Sequence, residues 1–111
     1  MKLFKVMLAT LAIVSSINCY AAQENRVVEM GVFSCDQWGN LNNPSSIATK
    51  HEWLLGYLSG IATATQIDFL KGQEENSLFS WMNNYCHKNH LKNISDGANL
   101  LIKELKKNMK H

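Results

Sequence analysis

Ile47, His51, Leu54, Leu58, Ile61 and Thr65 follow one another at intervals of 4, 3, 4, 3 and 4. That is the repeat of a single face on an α-helix, and a strand cannot present it on one side. Nowhere does the chain alternate apolar and polar residues long enough to read as a strand. The fold class is therefore all-α. With 111 residues there is room for one small domain, which excludes a multidomain enzyme or a doubly wound nucleotide-binding fold. Apolar content of 46% and charged content of 18% describe a globular chain rather than a disordered one.

The long helix is expected to start at Ser45 or Ser46, either of which can cap free N–H groups, with Pro44 just outside it. Gly56, Gly60 and Ala64 form a second stripe at every fourth residue. Glycine in a helix costs about 1 kcal/mol relative to alanine, so these three predict a site of close helix packing. Lys71–Asn76 breaks the pattern, and Asn76 or Ser77 can cap a helix running to about His87, with Leu78, Phe79, Met82, Tyr85 and Cys86 on its apolar face and Trp81 nearby. A last helix begins near Asn93 or Ser95. Ile94, Ala98, Leu101, Ile102, Leu105 and Met109 form its apolar stripe, and Lys103, Lys106, Lys107 and Lys110 lie elsewhere on it. A short helical turn is expected between Phe33 and Trp38. The sum is a single-domain bundle of about three main helices plus a short N-terminal turn.

Residues 1–22 read as a secretory signal peptide. Lys2 and Lys5 precede an uncharged run from Val6 to Ile17, and small residues follow at Ala21 and Ala22. Twelve residues span about 18 Å as a helix, too short for a hydrocarbon core of roughly 30 Å. No stable membrane insertion is therefore expected after cleavage, and the expected location is the periplasm. A lipoprotein built on Cys19 would need a different set of small residues before it. Residues 23–32 read as a flexible N-terminus, and 33–111 as the helical domain. Removing the leader takes Lys2, Lys5 and Cys19, which leaves nine cations, nine anions and the pair Cys35 and Cys86. Two cysteines in an oxidising compartment imply one disulfide. Closing a loop of about 50 residues stabilises by roughly 4 kcal/mol in the chain-entropy estimate. A formal charge of +2 on the full chain is too weak a field to predict a nucleic-acid partner.

No catalytic constellation emerges. Cys86-His87-x-x-His90 resembles a metal-ligand cluster, but zinc needs a free thiol and Cys86 is assigned to the disulfide, so no metal or other cofactor is expected. Cys35-x-x-Trp38 lacks the second cysteine of a redox motif. Ser77 and Ser80 have no histidine–acid pattern near them, and Glu74-Glu75 sits in a polar loop. Asn93-Ile94-Ser95 matches a glycosylation sequon, although a helix cap explains it better. The lysines of the last helix read as a solvated face, with an anionic membrane or acidic partner as the sharper alternative. Trp53, Tyr57, Trp81 and Tyr85 read first as core fillers, and alternatively as an anchor patch for a protein partner.

Ser34-Cys35, the segment Trp53-Leu54-Leu55-Gly56-Tyr57-Leu58-Ser59-Gly60, Tyr85-Cys86-His87-Lys88-Asn89 and the amphipathic helix from Ile94 to Leu105 together carry a resemblance. The chain resembles the small exported helical proteins around the HdeA-like acid-stress chaperones, and also the Tai-type immunity proteins of type VI secretion, over residues 33–107. The resemblance implies that Cys35 and Cys86 are the bridging pair; the lack of a catalytic constellation leads to the expectation that the protein is not an enzyme. On the HdeA-like side it implies a dormant homodimer that opens in acid and offers apolar helix surface to unfolding clients. On the Tai-type side it implies binding and occlusion of a secreted effector. An accessory subunit of an envelope assembly is a third expectation. Asn89-His90 stands where these families often have Asn-Pro. Leu55 stands where the immunity-type proteins often carry an extra cysteine, which tilts the expectation toward the chaperone. Protonating nine carboxylates and four histidines takes the processed chain from about 0 to +13, and self-repulsion then favours opening.

Overall fold

The computed structural model describes residues 27–40 and 42–109. The leader expected over 1–22, Cys19 included, lies outside the described residues. Four helices follow in order: α1 (Cys35–Trp38), α2 (Pro44–Thr65), α3 (Glu75–Lys88) and α4 (Ile94–Lys107), with no strand among the described residues. The protein is all-α, and one disulfide joins Cys35 of α1 to Cys86 of α3 across 51 residues of sequence.

Each helix start has a local cause. Ser34 opens α1 with a reciprocal cap: its Oγ accepts from the Gln37 N–H at 3.1 Å, and its own N–H donates to Gln37 Oε1 at 2.8 Å. Helix α2 begins at Pro44 rather than at Ser45 or Ser46. Asn43 is the cap, its Oδ1 accepting from the Ser45 N–H at 3.0 Å. Proline suits the first helical position because its φ is already helical and its missing N–H would have no partner there. Helix α3 begins at Glu75, one residue before the expected caps, and Glu74 makes no side-chain capping bond. Helix α4 starts after Asn93, whose N–H donates to Asp96 Oδ2 at 3.0 Å.

Helix α4 is the centre of the bundle, packing against both α2 and α3, while α1 packs on α3. Its stripe of Ile94, Ala98, Leu101, Ile102 and Leu105 is buried with Leu54 and Leu58 of α2 and with Leu78, Phe79, Met82 and Cys86 of α3. Phe69, from the connection after α2, closes the core at 1% exposure. The other end of α4 is tied down by main chain: Ile94 N–H donates to Phe33 O at 3.0 Å, and Cys35 N–H to Lys92 O at 2.8 Å.

The glycine stripe of α2 is a correction. Gly56, Gly60 and Ala64 are exposed, and a Cβ on Gly56 or Gly60 would meet nothing within 4 Å among the described residues. Each residue advances about 100° around a helix, so Gly56 and Gly60, two positions past buried Leu54 and Leu58, fall on the far side. The close approach lies at Gly97 of α4, where a Cβ would come within 2.6 Å of Tyr85 Cδ1 and 2.8 Å of Met82 Sδ.

Candidate functional site

The four aromatic residues singled out in the sequence form two pairs, one on each helix that flanks α4. Trp53 and Tyr57, one turn apart on α2, stack with centroids 5.0 Å apart and 14° between planes. Trp81 and Tyr85, equally spaced on α3, stack at 5.6 Å and 8°. All four are half-buried, packed against the core while part of each ring faces solvent. They do not converge on one patch, since α4 stands between the pairs.

Both pairs are tied to α4 by their polar tips. The Tyr57 hydroxyl donates to Asn99 Oδ1 at 2.9 Å. The Trp81 indole N–H donates to Glu104 Oε2 at 2.8 Å. Tyr85 lies over Gly97, where the absent side chain lets its ring reach the α4 backbone. Burial raises the Tyr57 pKa, and the Glu29 and Asp96 carboxylates add to the rise, while the bond to Asn99 opposes it. Burial is also the main cause of a raised pKa at Tyr85, with Asp96 second. Asp96 thus exerts its field on both aromatic pairs. Gly31, at φ +70°, turns the incoming segment so that Met30 O accepts from the Trp53 indole at 3.4 Å.

A second cluster surrounds the disulfide. Cys35 and Cys86 are both buried, and a cleft of about 440 Å³ beside them is lined by Asp36, Trp38, Asn83, His87 and His90 among others. The Trp38 indole N–H donates to Asn83 Oδ1 at 2.6 Å. His90 Nδ1 lies 3.6 Å from Asp36 Oδ1, with both side chains largely exposed, so the pair is worth little in water. His87 and His90 have ring centroids 6.3 Å apart. No group of three metal-ligating side chains comes together among the described residues.

His51 was noticed in the sequence only as one member of the α2 stripe. Its ring stacks on Phe79 of α3 at 3.7 Å and 12°, and Trp38 of α1 tilts against it at 5.5 Å and 43°. Beside it, Lys50 is 5% exposed and gives its Nζ to Asn40 O at 2.7 Å. Gly97, Asn99 and Glu104 also have roles that the patterns singled out in the sequence do not mark. Gly97 was findable, because it falls three residues after Ile94 and four before Leu101, on the buried stripe of α4. Nothing in the sequence pairs Asn99 with Tyr57 or Glu104 with Trp81.

Apolar side chains also stand in solvent near the entry of the chain. Val27, Val28, Met30 and Leu91 are 82% to 98% exposed, and Val27 and Leu91 border a common cleft with Glu29, Lys92 and Asp96. No helix among the described residues is long and apolar enough to cross a membrane. No family model, curated protein or solved structure matches the chain.

Proposed function

We propose that the protein is a small periplasmic, non-enzymatic, HdeA-like acid-stress chaperone that acts through apolar helix surface now covered by α4. The observation that carries this reading is the pair of polar ties on either side of α4, Tyr57 to Asn99 and Trp81 to Glu104. The apolar stripe of α4 is held to α2 and α3 without a covalent bond, since the disulfide joins α1 to α3. In strong acid carboxylates as a class take up protons while lysines keep their charge. The chain then carries uncompensated positive charge, including Lys103, Lys106 and Lys107 on α4 itself. Repulsion favours release of α4. Release uncovers Leu54, Leu58, Met82 and the aromatic pairs, a surface suited to unfolding clients.

The test is aggregation of an acid-labile client at pH 2 to 3 with and without the purified processed protein. Suppression at near-stoichiometric ratio supports the proposal. A protein that leaves client aggregation unchanged there rules it out.

The Tai-type reading, a binder that occludes a secreted effector, has one specific observation in its favour. Val27, Val28, Met30 and Leu91 are exposed in the closed fold, so a partner can use them at neutral pH without any opening. Recovery of one stoichiometric partner at pH 7, lost on Leu91→Asp, would support this reading over the chaperone. The same surface would serve an accessory subunit of an envelope assembly.

A further inference from the structure

We infer that His51 is a proton-released clasp that holds the N-terminal half of α2 to the disulfide-linked pair α1 and α3. The inference rests on the chaperone reading for its purpose, but not for its physics. Three helices meet at this ring: His51 from α2, Phe79 from α3 at 3.7 Å, and Trp38 from α1 at 5.5 Å. The main packing of the bundle runs elsewhere, through α4 against α2 and α3 and through α1 against α3. Contacts from α2 toward this side include the His51 stack, and beside it Lys50 binds Asn40 O in the loop after α1. Trp38 is itself 3% exposed and bonded to Asn83.

A neutral imidazole suits this slot, because it stacks flat and leaves no charge among apolar rings. An imidazolium in this half-buried slot gives up part of its water to the Phe79 face. Among the described residues no carboxylate compensates it. On α1 the acid is Asp36, turned toward His90. On α2 the neighbours are Lys50, committed to Asn40 O, and exposed Glu52. On α3 the charged or titratable groups are Glu75, one turn before Phe79, Tyr85 against Gly97 of α4, and His87 and Lys88 at the far end. Burial alone lowers the His51 pKa below 6.5, with no charged partner contributing. A group that binds its proton more weakly when folded supplies stability above the unfolded value, lost as the pH falls through the folded value. The clasp is thus closed above about pH 6.5 and loosens below it, before the carboxylates are neutralised. Cation–π attraction from the Phe79 face acts in the opposite sense, so the direction of the titration decides between clasp and cation trap.

The experiment is an NMR titration of the full processed chain from pH 7.5 to 4.5. It follows the His51 ring with the Trp38 indole and Phe79 ring signals. The clasp predicts a His51 midpoint below 6.5 and the same midpoint for Trp38 and Phe79. A midpoint at or above 6.5, or aromatic signals that ignore it, overturns the inference. In parallel, the urea midpoint of the wild type falls between pH 7 and pH 5, and His51→Phe flattens that fall. Should His51→Phe not fold, His51→Gln, which keeps a polar side chain without a titration, serves the same comparison. A wild type that shows the coupled titration yet leaves client aggregation unchanged at pH 2 to 3 removes the chaperone reading and keeps the clasp. Client protection without coupled titration does the reverse.

Discussion

At Gly97 the molecule depends on the absence of a side chain. Tyr85 and Met82 occupy the space a Cβ would need, and the Tyr85 ring, stacked on Trp81, has little freedom to retreat. Gly97→Ala therefore lowers stability by about 1 to 3 kcal/mol, the range for overpacking, although alanine is the better helix former. Gly56→Ala and Gly60→Ala act in the opposite direction. Neither position meets an obstacle, so each substitution raises stability by about 0.5 to 1 kcal/mol through helix propensity and a less flexible unfolded chain. Urea denaturation of the three variants checks the contrast. A destabilised Gly56→Ala would mean that the exposed face of α2 is covered in solution. The sequence marks all three residues as glycines in helices, and only their angle from the buried stripe separates them. That angle is legible in the sequence: a four-residue interval alone does not mark packing when Leu54 and Leu58 already define the buried face.

Helices show the same division between what repeats and what does not. The apolar stripes of α3 and α4 were legible because a spacing of three and four residues is the geometry of burial itself. Helix starts were less so. Several residues near Pro44 can cap, and Asn43 prevails because its side chain reaches the Ser45 N–H while Pro44 is already helical. Asn43→Ala removes that bond and costs about 1 kcal/mol, visible as a lower thermal midpoint. Ser45→Ala leaves that cap in place and stays within about 0.5 kcal/mol of wild type. The ties from the aromatic pairs to α4 were not legible. Asn99 is 42 residues from Tyr57 and Glu104 is 23 from Trp81, and no local periodicity connects such partners. His51 was hidden for a related reason: its position on the stripe announced burial, but its neighbours, Trp38 and Phe79, come from two other helices.

For the molecule as a whole, the disulfide divides what can move from what cannot. It fixes α1 to α3, and α4 is held to them by burial, hydrogen bonds and main-chain ties at Phe33 and Lys92. Reduction, or Cys35→Ala with Cys86→Ala, is expected to cost about 2 to 5 kcal/mol, a large share of the roughly 5 to 15 kcal/mol available to a small domain. The pairing is legible in the sequence on the expectation of a leader over residues 1–22, since only Cys35 and Cys86 lie beyond it. If the proposed leader is removed, the chain is formally neutral and becomes strongly positive in acid, which fits the proposal of a stapled bundle whose working surface is internal until protons release it. The most direct test follows molecular size and hydrophobic-dye binding of the oxidised processed protein from pH 7 to pH 2, with the reduced protein alongside. The account predicts little dye binding at pH 7, and a rise with expansion in acid that stops short of the reduced chain's full unfolding. An oxidised protein that stays closed and binds no dye at pH 2 would contradict it.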